Sequence, residues 1–197
     1  MDKIIMFFKE NKKSLYFIFT IALVGLTAGI CFYFFISYND KTKCIDFINK
    51  YIDYIENKKY FTLFLKSFIF NLIILVLIFI CAFSITGFFT SIFIFFVKSF
   101  VTGLYITLIM KVTNYYTASI AYFLPSGFIF LLLFSIMLLF SLSISTNLVF
   151  SLFKGKTINF RNVSKKYLYV FLIIFGFSFL FSLYEGFILP KILLNFI

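Results

Sequence analysis

The sequence predicts an all-α integral membrane protein, a bundle of about five transmembrane helices, and three observations carry that reading. First, 63% of the 197 residues are hydrophobic and only 13% are charged, where a soluble domain is about 45–50% apolar and about 25% charged. Second, whole stretches lack any charge: residues 14–39, 67–97, 112–153 and 167–184. A helix crosses the hydrocarbon core with about 20 mostly apolar residues, and each stretch reaches or approaches that length. Third, the 18 Lys and Arg residues, which set a net charge of +11, sit mostly between these stretches, where they anchor helix ends and set topology. A soluble chain this basic would point to nucleic acid. This placement instead names the lipid bilayer as the partner and excludes nucleic acid.

Taken in order, residues 1–13 are basic and expected to be cytoplasmic. Helix 1 is expected at about 15–37. Lys9, Lys12 and Lys13 precede it as in a secretory signal, but the apolar run is too long for one and no small-x-small cleavage site follows. Ala28, Gly29 and Ile30 precede Cys31, whereas a lipoprotein signal wants a small residue just before the cysteine. The segment therefore reads as an uncleaved helix that directs insertion. It carries Gly25-x-x-x-Gly29, and small residues four apart let two helix backbones approach closely, either within this chain or with another subunit of an oligomer.

Residues 38–66 form the one sizeable loop. Cys44, Ile48, Tyr51, Ile52 and Ile55 share one face at helical spacing, and Asp46, Asn49, Lys50, Asp53 and Glu56 share the other. That pattern predicts a short amphipathic surface helix at 44–59, lying along the membrane or against a partner. Helix 2 follows at about 68–85, with Asn71 near its start. Gly87 marks a tight connection to helix 3, at about 88–110, with Lys98 near its middle. Residues 111–124 are mixed: Thr113, Asn114, Tyr115, Tyr116 and Thr117, then apolar residues up to Pro125. They form a candidate re-entrant or interfacial helix, or a sixth crossing. A proline disfavours helical geometry at the residue before it, so a break is expected at Leu124–Pro125. Helix 4 is expected at about 126–150, where Ser141 with Ser145, and Ser143 with Asn147, are placed to bond neighbouring helices or backbone. Lys154, Lys156, Arg161, Lys165 and Lys166 then form an acid-free basic loop over 151–166. Helix 5 is expected at about 167–189, with Glu185 near its end and Pro190 closing it.

Five crossings put the N-terminus and the 151–166 loop on one side, and both are basic, so the cytoplasm is the expected side. That side collects nine Lys and Arg against eight opposite, and acidic residues count for little in this rule.

Chemistry has few residues to work with. There is no histidine, which removes Ser-His and Cys-His nucleophile pairs and the commonest zinc and haem ligands. Six of the seven carboxylates precede residue 67, so no paired-carboxylate site is expected in the membrane. The eight glycines form no phosphate loop. The three cysteines form no CxxC pair. No cofactor or metal is expected, and no enzymatic activity. Lys98 is the exception in an otherwise apolar interior. A lysine at mid-bilayer costs about 2.5–3.5 kcal/mol on insertion scales, so it should face the bundle interior or water. Two half-helices broken near Lys98 are the alternative. A structural role and a transport or partner role both fit, and Glu185 is its one candidate intramembrane partner.

The layout resembles the stage II sporulation protein M family of polytopic membrane proteins. The shared features are the basic start, helix 1, the amphipathic segment and an Asn-bearing helix 2. After them come a Phe/Val-Lys-x-Phe-x-x-Gly core, here Val97-Lys98-Ser99-Phe100-Val101-Thr102-Gly103, and a Leu-Pro step, here Leu124-Pro125-Ser126. The chain has Ser99 where the family tends to have Gly, and Ser126-Gly127 where it tends to have a polar pair. The resemblance implies a non-enzymatic scaffold at the cell envelope, in complex with cell-wall hydrolases that thin peptidoglycan during engulfment of the forespore. The amphipathic segment and the outer ends of helices 2 and 5 are then the implied contact surfaces. The competing reading is a small transporter or channel subunit with Lys98 lining a polar path. Transporters often carry internal repeats, and none relates residues 15–110 to 111–197.

Overall fold

The computed structural model describes residues 11–84, 86–113, 116–154 and 160–194. Residues 1–10, Asn114 and Tyr115, and Lys156 of the basic loop lie outside the described residues.

The described chain is all-α: α1 Lys12–Phe35, α2 Tyr38–Glu56, α3 Tyr60–Cys81, α4 Gly87–Thr113, α5 Tyr116–Tyr122, α6 Ile129–Lys154, α7 Phe160–Leu183 and α8 Leu189–Leu193. Two π-helical segments, Phe123–Phe128 and Tyr184–Ile188, join α5 to α6 and α7 to α8. Five stretches are long and apolar enough to cross a membrane: Lys12–Phe35, Tyr60–Cys81, Gly87–Val112, Ile129–Ser151 and Val163–Leu193. The protein is thus a multi-pass α-helical membrane protein. α3 begins eight residues before the expected 68, because the helix continues through Lys66, whose ammonium lies over the Tyr54 ring at 4.0 Å. A charge marks the edge of the apolar zone, not the end of the helix.

The expected break at Leu124–Pro125 does not occur, and neither does the expected close at Pro190. The chain stays helical through both. A proline has no N–H to donate, and its ring crowds the carbonyl four residues back. Widening the turn to the π spacing moves that carbonyl clear of the ring without ending the helix. The two prolines in the chain coincide with the two π segments, one inside the first and one just after the second.

Helix α6 forms the centre, with Phe130, Phe134, Met137, Leu138 and Leu139 buried. Hydroxyls stitch it to its neighbours. Ser141 bonds Ser91 at 3.0 Å and donates to the Ile78 carbonyl at 3.4 Å. Ser145 donates to the Ser84 carbonyl at 3.0 Å, and Tyr167 of α7 to the Ile78 carbonyl at 3.2 Å. Ser143 and Asn147 instead line a recess beside Lys13. The outer faces of α1 and α7 leave Phe19, Leu172, Ile173 and Leu180 exposed, as lipid-facing residues should be.

α1 and α4 approach each other backbone to backbone. A Cβ on Gly25 would stand 2.7 Å from Ser99 Cβ. One on Gly29 would collide with the Phe100 carbonyl oxygen, and one on Gly103 with the Leu26 carbonyl oxygen. The Gly25-x-x-x-Gly29 contact is therefore made within this chain. Ser99 sits where Gly25 leaves room for its Cβ, and its hydroxyl donates to the Phe95 carbonyl at 3.0 Å.

Helix α2 caps the end of its own bundle. Ile48 packs with Tyr33 and Leu108, and Ile55 with Leu63, Ile109, Ala118, Leu189 and Leu193. Its start is capped by Ser37, which accepts from the Asp40 N–H and donates to the Asp40 carboxylate at 2.7 Å. The Ser37 hydroxyl's bond to the carboxylate and the Lys43 ammonium hold Asp40 below the usual carboxylate range. Its end closes with the Lys59 N–H reaching the Tyr54 carbonyl and Lys58 in the left-handed region at φ 55°, the geometry of a Schellman stop. Among the described residues of 111–124 no further stretch is long and apolar enough to cross. α5 packs through Ala118 onto Ile109 and α8.

Candidate functional site

Beneath α2 lies a cavity of about 530 Å³. α2 roofs it with Ile48 and Tyr51, α3 contributes Ser67, Phe70 and Asn71, and α4 contributes Lys98, Thr102 and Tyr105. Tyr122 and Glu185 close the far side. Volumes of about 300–1,000 Å³ are usual for sites that hold small molecules.

Its polar groups form one directed chain. Lys98 Nζ donates to Asn71 Oδ1 at 2.8 Å, Asn71 Nδ2 donates to Ser67 Oγ at 3.3 Å, and Ser67 Oγ donates to Glu185 Oε2. An ammonium has only donors, which fixes the Asn71 orientation and hence the direction of the whole chain. The ammonium also faces the rings of Phe70, Phe130 and Phe134 at 4.9, 5.6 and 6.0 Å. Cation–π contacts contribute about 0.5–2 kcal/mol each and a hydrogen bond to a charged group about 1.5–3 kcal/mol. Together they offset an insertion cost of the size expected for a mid-membrane lysine.

Lys98 and Glu185 are thus linked through two intermediaries. Among the described residues, the ion pair within 4.0 Å is Lys43–Asp40, outside the cavity. α4 is continuous from Gly87 to Thr113, so the half-helix alternative near Lys98 is not what forms. Glu185 reaches the cavity because the π segment Tyr184–Ile188 turns it inward. That segment seats closely on α3, where a Cβ on Gly186 would stand 2.6 Å from Phe64 Cα. Tyr51 also faces the cavity. Burial pushes its hydroxyl well above the ordinary range and the Glu185 carboxylate adds to the shift, which keeps it a neutral donor.

Of the residues singled out by sequence, Lys98, Asn71 and Glu185 meet here. Gly25, Gly29 and Gly103 do not line the cavity; they set α4 against α1. Pro125 lies in the first π segment. Ser67, Gly186, Tyr105 and Tyr122 escaped sequence reading, whereas Tyr51 was already on the apolar face of the amphipathic segment. Ser67 had a signal, standing four residues before Asn71 on one helix face; Tyr105 and Tyr122, two among 13 tyrosines, had none.

The family model described as SpoIIM: Stage II sporulation protein M matches residues 17–190. No curated protein and no solved structure matches the chain.

Proposed function

We propose, from the premise that the chain belongs to the stage II sporulation protein M family, that this multi-pass membrane protein serves sporulation as a non-enzymatic scaffold holding peptidoglycan hydrolases at the outer membrane face. The observation that carries this reading is α2. It is an extramembrane helix anchored through Ile48 and Ile55, and it turns Asp46, Asn49, Asp53 and Glu56 outward and exposed. A rigid polar ridge on a membrane anchor suits holding a soluble partner. The interior of Lys98 supports this over a transport path, because buried Phe130 and Phe134 cover the ammonium on its inner side.

The test is co-purification from sporulating cells. Reversing the ridge with Asp46→Lys, Asp53→Lys and Glu56→Lys is expected to cut hydrolase recovery at least fivefold while membrane accumulation stays unchanged, since all three side chains are exposed. Undiminished recovery would rule out α2 as the contact, and absence of any hydrolase throughout engulfment would rule out the scaffold.

The reading also requires α2 to lie outside the cell. In a background lacking Cys31, Cys44 and Cys81, a cysteine at position 46 is expected to react with an impermeant maleimide on intact cells. One at position 165 is expected to react only after permeabilisation, because three candidate spans, in α3, α4 and α6, separate it from position 46. The reverse pattern inverts the topology.

A further inference from the structure

We propose that the cavity beneath α2 binds the phosphate-bearing headgroup of a membrane phospholipid, which enters sideways between α2 and α3. The inference does not rest on the scaffold reading. It begins from charge: Lys50, Lys66 and Lys98 converge on the lining against one carboxylate, Glu185, and that carboxylate already accepts from Ser67. The hydroxyls of Tyr51, Tyr105 and Tyr122 also line the cavity, and none donates to an acceptor among the described residues. The site therefore offers cations and neutral donors in excess of acceptors. A phosphodiester supplies acceptors and a negative charge, and charge-assisted bonds to it are the strong kind. An apolar helix from a protein partner would supply neither.

The mouth points to lipid rather than to a soluble anion. Lys50 and Lys66 are exposed at its upper edge, and the rings of Phe47 and Phe70, 57% and 46% exposed, flank it. Phe70 lies ten residues along α3 from Tyr60, which at 1.5 Å per residue is about 15 Å into the helix. Lys50 and Lys66 thus stand at the level of headgroups and Phe70 stands below them, in the order in which a phospholipid presents phosphate and chain. Val101 of α4 gives the lower wall apolar cover for the first part of that chain.

Native mass spectrometry of the full chain in detergent tests this with three probes: dioleoyl phosphatidylglycerol, dioleoylglycerol and inorganic phosphate. One phosphatidylglycerol per chain is expected to survive detergent stripping, dioleoylglycerol is not, and millimolar inorganic phosphate is expected not to displace the lipid. The pair Lys50→Gln and Lys66→Gln, both at exposed positions, is expected to lower retention at least fivefold. The control pair Lys58→Gln and Lys59→Gln removes the same charge from exposed positions off the lining and is expected to leave retention within twofold. Equal loss in both pairs would reduce the binding to general surface charge and overturn the site. Equal retention of dioleoylglycerol would overturn the headgroup, and displacement by phosphate would overturn the lipid as occupant.

Discussion

Replacing Asn71 with leucine is expected to destabilise the folded protein by about 3 kcal/mol, because it strips the Lys98 ammonium of its hydrogen-bond acceptor and leaves a charge among phenylalanine rings. The same change breaks the donor chain at its second link, so Ser67 and Glu185 lose their orientation as well. Lys98→Met removes the charge and is expected to be milder, since a thioether of similar length packs against Phe70, Phe130 and Phe134 without needing an acceptor. The two changes together are expected to cost less than their sum, with a coupling of about 1–3 kcal/mol. Thermal unfolding of the detergent-solubilised protein, run as a double-mutant cycle, reads all four species. A strictly additive cycle would show that Asn71 and Lys98 act independently and that the 2.8 Å bond between them contributes nothing.

Gly29→Val is expected to have an effect of similar size through a different cause. Even a Cβ at this position meets the Phe100 carbonyl oxygen and, at 2.9 Å, the Leu104 nitrogen. Both belong to the α4 backbone, which cannot rotate aside as a side chain can. α1 must therefore move away from α4, at a cost of about 3 kcal/mol, the upper end of typical overpacking. Gly103→Val acts on the same seam from the other helix. Gly176→Ala is the control: nothing lies within 4 Å of its Cβ, and alanine is favoured over glycine in a helix by about 1 kcal/mol. Size-exclusion chromatography with light scattering separates this account from an intersubunit one. If Gly29→Val leaves the monomer stable and instead dissociates an oligomer, the glycine pair is an intersubunit contact.

The consequences of these two sites differ in how far they were legible beforehand. The Gly25-x-x-x-Gly29 spacing announces a close backbone contact, because only a missing side chain permits one. It does not name the opposite surface, since Gly103 stands 74 positions further along the chain and nothing local ties them. Lys98 announces a polar interior for the same kind of reason: a lone charge in an apolar helix must be compensated. Its compensation turned out to be distributed over Asn71 and three rings rather than given by one carboxylate.

By itself, the sequence determined the membrane class, a bundle of about five long apolar helices and the amphipathic character of α2, because hydrophobic run length and helical periodicity are local properties that the bilayer and the core read directly. Tertiary structure decided the rest. It made the two prolines into π turns instead of breaks, since neighbouring helices hold the chain in line where an isolated helix would end. It seated α2 on its own bundle, because Leu108, Ile109 and Leu189 present an apolar end for Ile48 and Ile55 to cover. And it brought Glu185 to Ser67, 118 residues away in sequence, a meeting that depends on the extra residue in one π turn and on the missing side chain of Gly186.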